Sequence, residues 1–190
     1  MNDHIKRVEE CERSTVATFL VEQVKEKLSP LSVEKELLIE LFSRAMRIEQ
    51  CFIVMDSQEV IGLITYSTRN QASFEMSMKE IKEILGWKSL QFYFNVMQGE
   101  KRLGKHQIYI NTLIVHSKYR RRGVGTKLLK FLIDEIKGSE YLLDVLSTNK
   151  EALRLYQQFG FKINVTKKQK ILLRLRLTRT ISMKYSSDNR

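Results

Sequence analysis

Apolar residues recur along this chain with two different periods. Over residues 14–29, Val16, Phe19, Leu20, Val24 and Leu28 fall near helical spacing. A second helix is expected over 33–47. Ser32 precedes it, with Lys35 where a capping box would want an acid, so only half of that signal is present. "CFIVMD" (51–56) and "VIGLITYST" (60–68) read as strands joined by the turn "SQE", an antiparallel hairpin. Residues 73–98 read as one or two helices, followed by the polar turn "QGEKRLGK". "HQIYINTLIV" (106–115) is strand-like, rich in β-branched and aromatic residues. Leu128, Leu129, Leu132, Ile133 and Ile136 then trace one helical face, which Gly138 is expected to end. "YLLDVL" (141–146) is another strand. Ala152, Leu155, Tyr156 and Phe159 make a last helical stripe, with Gly160 as its stop. The tail alternates from Leu173 to Tyr185, enough for one or two strands, while 164–172 shows no pattern. Helices and a hairpin followed by β-turn-α-β-α-β predict a mixed α/β or α+β fold around a single central sheet.

Composition changes this picture little. A chain of 190 residues, 43% hydrophobic with one proline and no repeat, is expected to form a single domain over 1–190. No apolar stretch resembles a signal peptide or approaches a membrane span. The expected setting is therefore cytoplasmic, with Cys11 and Cys51 reduced and no membrane partner. Neither cysteine has another cysteine or a histidine at ligand spacing, so no metal site is expected.

Charge does change it. The formal net charge is +11, and it is concentrated. Residues 101–133 hold nine Lys/Arg and no acid; residues 162–190 hold nine and one acid, Asp188. Such a field favours anionic cofactors, acidic substrates or nucleic acid, although a charge run is often only a solvated face.

The first basic segment contains "YRRRGVGTKLL" (119–129). Crowded arginines repel, and a glycine pair weakens a helix, so a compensating anion is indicated. A strand ending near Val115 feeds this loop, and a helix begins near Gly125. Helix N-termini present unpaired N–H groups and partial positive charge, a ready phosphate site. Arg120, Arg121, Arg122 and Lys127 would add side-chain charge. The dinucleotide fingerprint fails because residue 128 is leucine, and the phosphate-loop motif fails because Gly138 lies far downstream. A solvated loop and a nucleic-acid patch remain open on this fragment alone.

Arg120-Arg121-Arg122-Gly123-Val124-Gly125 resembles the [QR]-x-x-G-x-[GA] motif of the GCN5-related N-acetyltransferases, the GNAT superfamily. "NKEALRLYQQFGF" resembles that superfamily's N-x-x-A-x-x-L-Y-x-x-x-G-F segment at every fixed position. The likeness is close over 106–162 and covers the hairpin at 51–68. It is loose over the N-terminal helices and 70–100. The resemblance implies a GNAT-like fold and acetyl-coenzyme A as cosubstrate. It implies that the backbone of Leu113, Ile114 and Val115 pairs with the pantetheine arm. Arg120, Arg121, Arg122, Gly123, Val124, Gly125 and Thr126 would hold the pyrophosphate, and Asn149 would hydrogen-bond the pantetheine. Tyr156 would sit at the thioester sulfur as both a cofactor contact and the catalytic acid. A phenol near 10 donating to a thiolate near 8.5 is uphill by about 1.5 units, so late transfer is expected. The family has no fixed base; His116, Glu75 and Asp144 are candidates that the sequence does not separate.

The leading expectation is acetyl transfer to a primary amine, of a small molecule in preference to a protein, by direct attack in a ternary complex. Trp87, Phe92, Tyr93 and Phe94 could line the acceptor pocket, or simply be core. The alternatives are a protein N-acetyltransferase, a non-catalytic coenzyme A-binding module, and a nucleic-acid-binding domain using 101–133 and 162–190. The usual nucleic-acid reader motifs are absent, so nucleic acid is the lesser expectation. Homodimerisation is common in the family, but the sequence offers no interface.

Overall fold

The computed structural model describes residues 3–93, 102–170 and 177–187. Its centre is a seven-stranded sheet in the order β1-β2-β3-β4-β5-β7-β6. The strands are β1 (Asp3–Arg7), β2 (Cys51–Asp56), β3 (Glu59–Ser67), β4 (Gln107–Val115), β5 (Glu140–Leu146), β6 (Lys162–Lys170) and β7 (Leu177–Ser186). Only β4 and β5 run parallel; every other neighbouring pair is antiparallel. The helices are α1 (Arg13–Leu28), α2 (Lys35–Ala45), α3 (Met78–Leu85), α4 (Ser89–Phe92), α5 (Val124–Glu135) and α6 (Lys150–Phe159).

Strand alternation divides the core in two. On one face Cys51, Ile53, Val60 and Leu63 pack with α1, α2, Ile81 and Phe92. On the other, Phe52, Val54, Ile61, Ile64, Ile108, Ile110, Leu143 and Val145 pack with the apolar stripes of α5 and α6. The four aliphatic residues Leu128, Leu129, Leu132 and Ile133 face this second layer, as the helical spacing requires. Among the described residues, no helix is long and apolar enough to cross a membrane.

Local expectations are corrected, and two segments without a reading gain structure. The N-terminal segment forms β1, whose single apolar side chain, Ile5, gave no alternation to read. Ser32 does not cap α2: it ends the preceding helical turn in a left-handed conformation (φ 51°), and Glu34 occupies the cap position. Helix α5 ends at Glu135 with Ile136 as cap. Gly138 serves close packing instead, because a Cβ there would lie 2.7 Å from Ile108 Cγ1. The patternless stretch beginning at 164 belongs largely to β6, an edge strand. Two helices, α3 and α4, occupy 78–92; residues 73–77, expected to be helical, are not, Phe74 forming an isolated bridge with Met46, and 94–98 lie outside the described residues.

Candidate functional site

Strands β4 and β5 pair over only four rungs, from Gln107–Glu140 to Ile110–Leu143. Beyond them β4 continues to Val115 and β5 to Leu146, without pairing. The parting coincides with an extra residue in β4. Against β3 the register steps from Ile110–Tyr66 to Thr112–Thr65, leaving Asn111 unopposed. A bulge bends and twists its strand, which re-aims the rest of β4 away from β5. The bulge is anchored: Ser67 Oγ donates to Asn111 Oδ1 at 2.7 Å, and the Ser73 N–H donates to Ser67 Oγ at 3.0 Å. Residues 111–115 thus keep β3 on one edge and face a gap on the other. Buried backbone polar groups require partners, so this edge suits an extended, amide-bearing ligand. Leu113, Ile114 and Val115 line it, all partly buried. One carbonyl already has a partner, since Arg120 Nε donates to Val115 O at 3.3 Å.

At the wide end of the gap lies the basic loop. Residues Ser117–Tyr119 make one helical turn, and Arg120 is extended. Arg121 (φ 63°) and Gly123 (φ 80°) are both left-handed, and α5 begins at Val124. The glycines do different jobs. At Gly123 an added Cβ would meet nothing, so conformation demands the glycine there. At Gly125 a Cβ would lie 3.1 Å from Leu155 Cδ2, so that glycine lets α6 pack closely. Gly62 seats α5 on β3 in the same way, since its Cβ would lie 3.0 Å from Leu128 and 3.1 Å from Val124. Arg121 has no such excuse; a left-handed arginine costs about 1 kcal/mol or more. The N-cap of α5 offers no side-chain hydrogen bond, so the first-turn amides at Val124, Gly125 and Thr126 point at open space. Arg120, Arg121 and Arg122 are exposed around them, with the Arg122 guanidinium 5.5 Å from the Tyr119 ring centre. Lys127 does not join this group: it is bound to Asp3 of β1 at 2.7 Å, and that pairing holds the Asp3 carboxyl below its ordinary range.

Across the gap, Asn149 caps α6, with Oδ1 accepting from the Ala152 N–H at 3.2 Å. Its oxygen is therefore committed, and its amide N–H groups are what it can offer a ligand. Tyr156, two turns along α6, is 8% exposed and meets the Phe161 ring edge-to-face at 5.7 Å. Among the described residues its hydroxyl has no hydrogen-bond partner. Burial pushes its pKa up to about 12.

The structure adds a residue that sequence reasoning passed over. Tyr109 sits at the parting of the strands, its phenol pushed well up by burial first, then by the Asp144 charge and a hydrogen bond to Asp144, and last by Tyr156. Asp144 in turn lies opposite Ser182 of β7 and accepts a hydrogen bond from its hydroxyl. Tyr109, Asp144 and Tyr156 are thus gathered at the head of the gap. The signal was present in the strand alternation. Tyr109 falls out of phase with Ile108 and Ile110, and Asp144 falls out of phase with Leu143 and Val145. The other base candidates are placed elsewhere. His116 caps a turn, accepting from the Lys118 N–H, and stacks on Phe19 at 6.5 Å. Glu75 is ion-paired to Arg47 at 2.6 Å.

Residues 21–161 match the acetyltransferase (GNAT) family. N-alpha-acetyltransferase 30 of Xenopus laevis is 46% identical over 56 residues, covering 28% of this chain and 20% of that protein. The spermine/spermidine N(1)-acetyltransferase of Bacillus subtilis is 25% identical over 130 residues, covering 58% of this chain and 86% of that protein. The chain therefore spans about a fifth of the first relative's length. The fold superposes on an N-acetyltransferase from Staphylococcus aureus with a TM-score of 0.66 at 17% identity, covering 96% of this chain and all of the other. It also superposes on a Salmonella typhimurium protein solved with its cofactor acetyl-CoA, with a TM-score of 0.65 at 15% identity, covering 100% and 96%.

Proposed function

The chain belongs to the GNAT family of acetyl-CoA-dependent N-acetyltransferases, and on that premise we propose that it acetylates a primary amine by direct attack within a ternary complex. The observation that carries this reading is the parting of β4 and β5 at the Asn111 bulge, with the α5 amides at its wide end and the buried Tyr156 of α6 at its head. The residues fit the cosubstrate. The edge of β4 at Leu113, Ile114 and Val115 matches a pantetheine arm. The amides from Arg121 to Thr126, with Arg120, Arg121 and Arg122, match a pyrophosphate. Asn149, the cap of α6, would offer its amide N–H groups to the pantetheine.

In this reading the amine nitrogen attacks the thioester carbonyl carbon, forming the C–N bond, and the C–S bond breaks. Tyr156 hydrogen-bonds the departing sulfur, and the proton that the nitrogen still carries after attack passes to that sulfur through solvent. The acceptor enters as an ammonium and must lose a proton before attack. Asp144, fixed by Ser182 and Tyr109, receives it. A small-molecule amine is the favoured acceptor, supported by the 25% identity over 130 residues to the spermine/spermidine N(1)-acetyltransferase of Bacillus subtilis. A protein α-amine is the second reading, favoured by the 46% identity over 56 residues to N-alpha-acetyltransferase 30. Thiol release from acetyl-CoA, measured against a panel of small amines and short peptides, separates the two. Release above the amine-free rate supports the reading; none with any acceptor contradicts it.

A further inference from the structure

Resting on the acetyl-transfer reading above, we infer that Leu142 and the Tyr109 ring select the acceptor, and that it is a monoamine with an apolar group beside its amine-bearing carbon. The inference starts from strand alternation. On β5, Leu143 and Val145 belong to the core under α5 and α6, so Glu140, Leu142, Asp144 and Leu146 lie on the opposite face. On β4, Ile108 and Ile110 assign Tyr109 to that same opposite face, and on β7 Met183 does so for Ser182 and Lys184. Helices α1 and α2 pack on that side of the sheet. Among the described residues, though, their core takes in nothing from β5 or β7, and only Ile114 from β4. Tyr156 therefore reaches the head of the gap from one side of the sheet and Asp144 from the other. An ammonium that meets Asp144 comes in over the face opposite α5 and α6.

Along β5, what flanks Asp144 on that face is apolar. Leu142 and Leu146 stand on either side of it, each about 7 Å away along the strand. Both are half-buried, and neither belongs to either core among the described residues. Leu146 borders the gap, where the pantetheine arm is assigned. Leu142 does not: it lies in the closed part of the sheet, directly beside Tyr109 in the β4–β5 register. The Tyr109 hydroxyl donates to Asp144, so its ring spans from the Leu142 rung to the carboxylate. A half-exposed leucine standing alone needs no explanation. This one is set against an aromatic ring and next to the carboxylate that receives the ammonium. The polar groups further down the face are already committed. Lys184, opposite Leu142, is ion-paired to Glu140 at 2.6 Å, and Gln107 donates to Glu140 at 2.8 Å. Glu140 stands about 13 Å from Asp144 along β5, and its charge is matched. A polyamine that placed one ammonium on Asp144 would therefore set its next charges against Leu142 and a carboxylate already paired. An amine followed by hydrocarbon fits both the acid and its surroundings.

The test uses the full chain with saturating acetyl-CoA and three acceptors: leucinamide, serinamide and spermidine. The first two are matched α-amines that differ in an apolar against a polar side chain. kcat/KM is expected to be about tenfold higher for leucinamide than for serinamide, and lowest for spermidine. Leu142→Asn is expected to remove the preference and Leu142→Ile to keep it, with the acetyl-CoA dissociation constant the same in both. Equal use of leucinamide and serinamide by the wild type, or a preference for spermidine, overturns the inference without any variant. So does a Leu142→Asn protein that keeps the preference, or one altered only in acetyl-CoA binding, which would assign Leu142 to the cosubstrate. Turnover of other amines with none of these three overturns the inference and leaves the transfer reading standing. Binding of acetyl-CoA with no turnover of any amine contradicts both.

Discussion

Replacing Tyr156 with phenylalanine removes one oxygen and leaves the ring. The ring is what the fold uses, through the edge-to-face contact with Phe161 and the packing around α6. The hydroxyl has no hydrogen-bond partner among the described residues, so its loss leaves no broken bond inside the protein. Stability at neutral pH is therefore expected to stay the same or rise slightly. Catalysis is a different matter. With the phenol pushed up to about 12 and a thiol near 8.5, full proton transfer to the departing sulfur is uphill by about 3.5 units, or about 5 kcal/mol. Burial thus makes Tyr156 a poorer outright acid than its ordinary pKa suggests. Its contribution is a hydrogen bond to a developing thiolate, worth about 1.5–3 kcal/mol. At about 1.4 kcal/mol per decade, Tyr156→Phe lowers kcat by about 10- to 150-fold. The assay is thiol release at saturating acetyl-CoA and acceptor, with the acetyl-CoA dissociation constant measured separately and expected unchanged. The pH dependence has a defined sign. A phenol whose pKa is raised in the folded state stabilises below its unfolded value, and that stability is lost as pH rises through about 10 to 12. The phenylalanine variant should lack this alkaline loss. An unchanged kcat would refute the reasoning and leave Tyr156 as a packing residue.

Gly123→Glu places a side chain in a left-handed position (φ 80°) and a carboxylate beside the α5 amides; it should cost about 1–2 kcal/mol of stability and abolish measurable acetyl-CoA binding by calorimetry. Gly62→Val forces a side chain against Leu128 and Val124, and should lower stability by about 1–3 kcal/mol in denaturant unfolding. Asp144→Asn keeps the Ser182 contact but not the charge, so turnover should fall at least tenfold at neutral pH while acetyl-CoA binding persists. Cys51 is fully buried and its thiol is pushed up to about 12, so an aromatic disulfide reagent should titrate the exposed Cys11 in the native protein and reach Cys51 only after unfolding.

The elements built on strong periodicity were legible: the β2–β3 hairpin, α5, α6 and the strands between them. So was the turn from Arg120 into the helix near Gly125, because a short string of residues carries it. What escaped depended on partners distant in sequence. β1 needs β2 to be a strand at all, and β6 pairs with β7 alone among the described residues. The diversion of Lys127 to Asp3 joins residues 124 positions apart. The Asn111 bulge shows no mark in "YINTLIV", since only the register against β3 reveals it. Asp144 could be named but not distinguished, because its distinction lies in Tyr109 and Ser182 on neighbouring strands. Gly123 and Gly125 looked alike in sequence, yet one answers to backbone conformation and the other to the approach of Leu155.

The central claim is that acetyl-CoA binds in the gap between β4 and β5, with its phosphates on the α5 loop. Calorimetric titration of acetyl-CoA into the wild-type chain and into Gly123→Glu tests it most directly. The account predicts one saturable site per chain in the wild type and none in the variant, with the variant shown to be folded by its circular dichroism. No binding to the wild type, or equal binding to a folded variant, would contradict it.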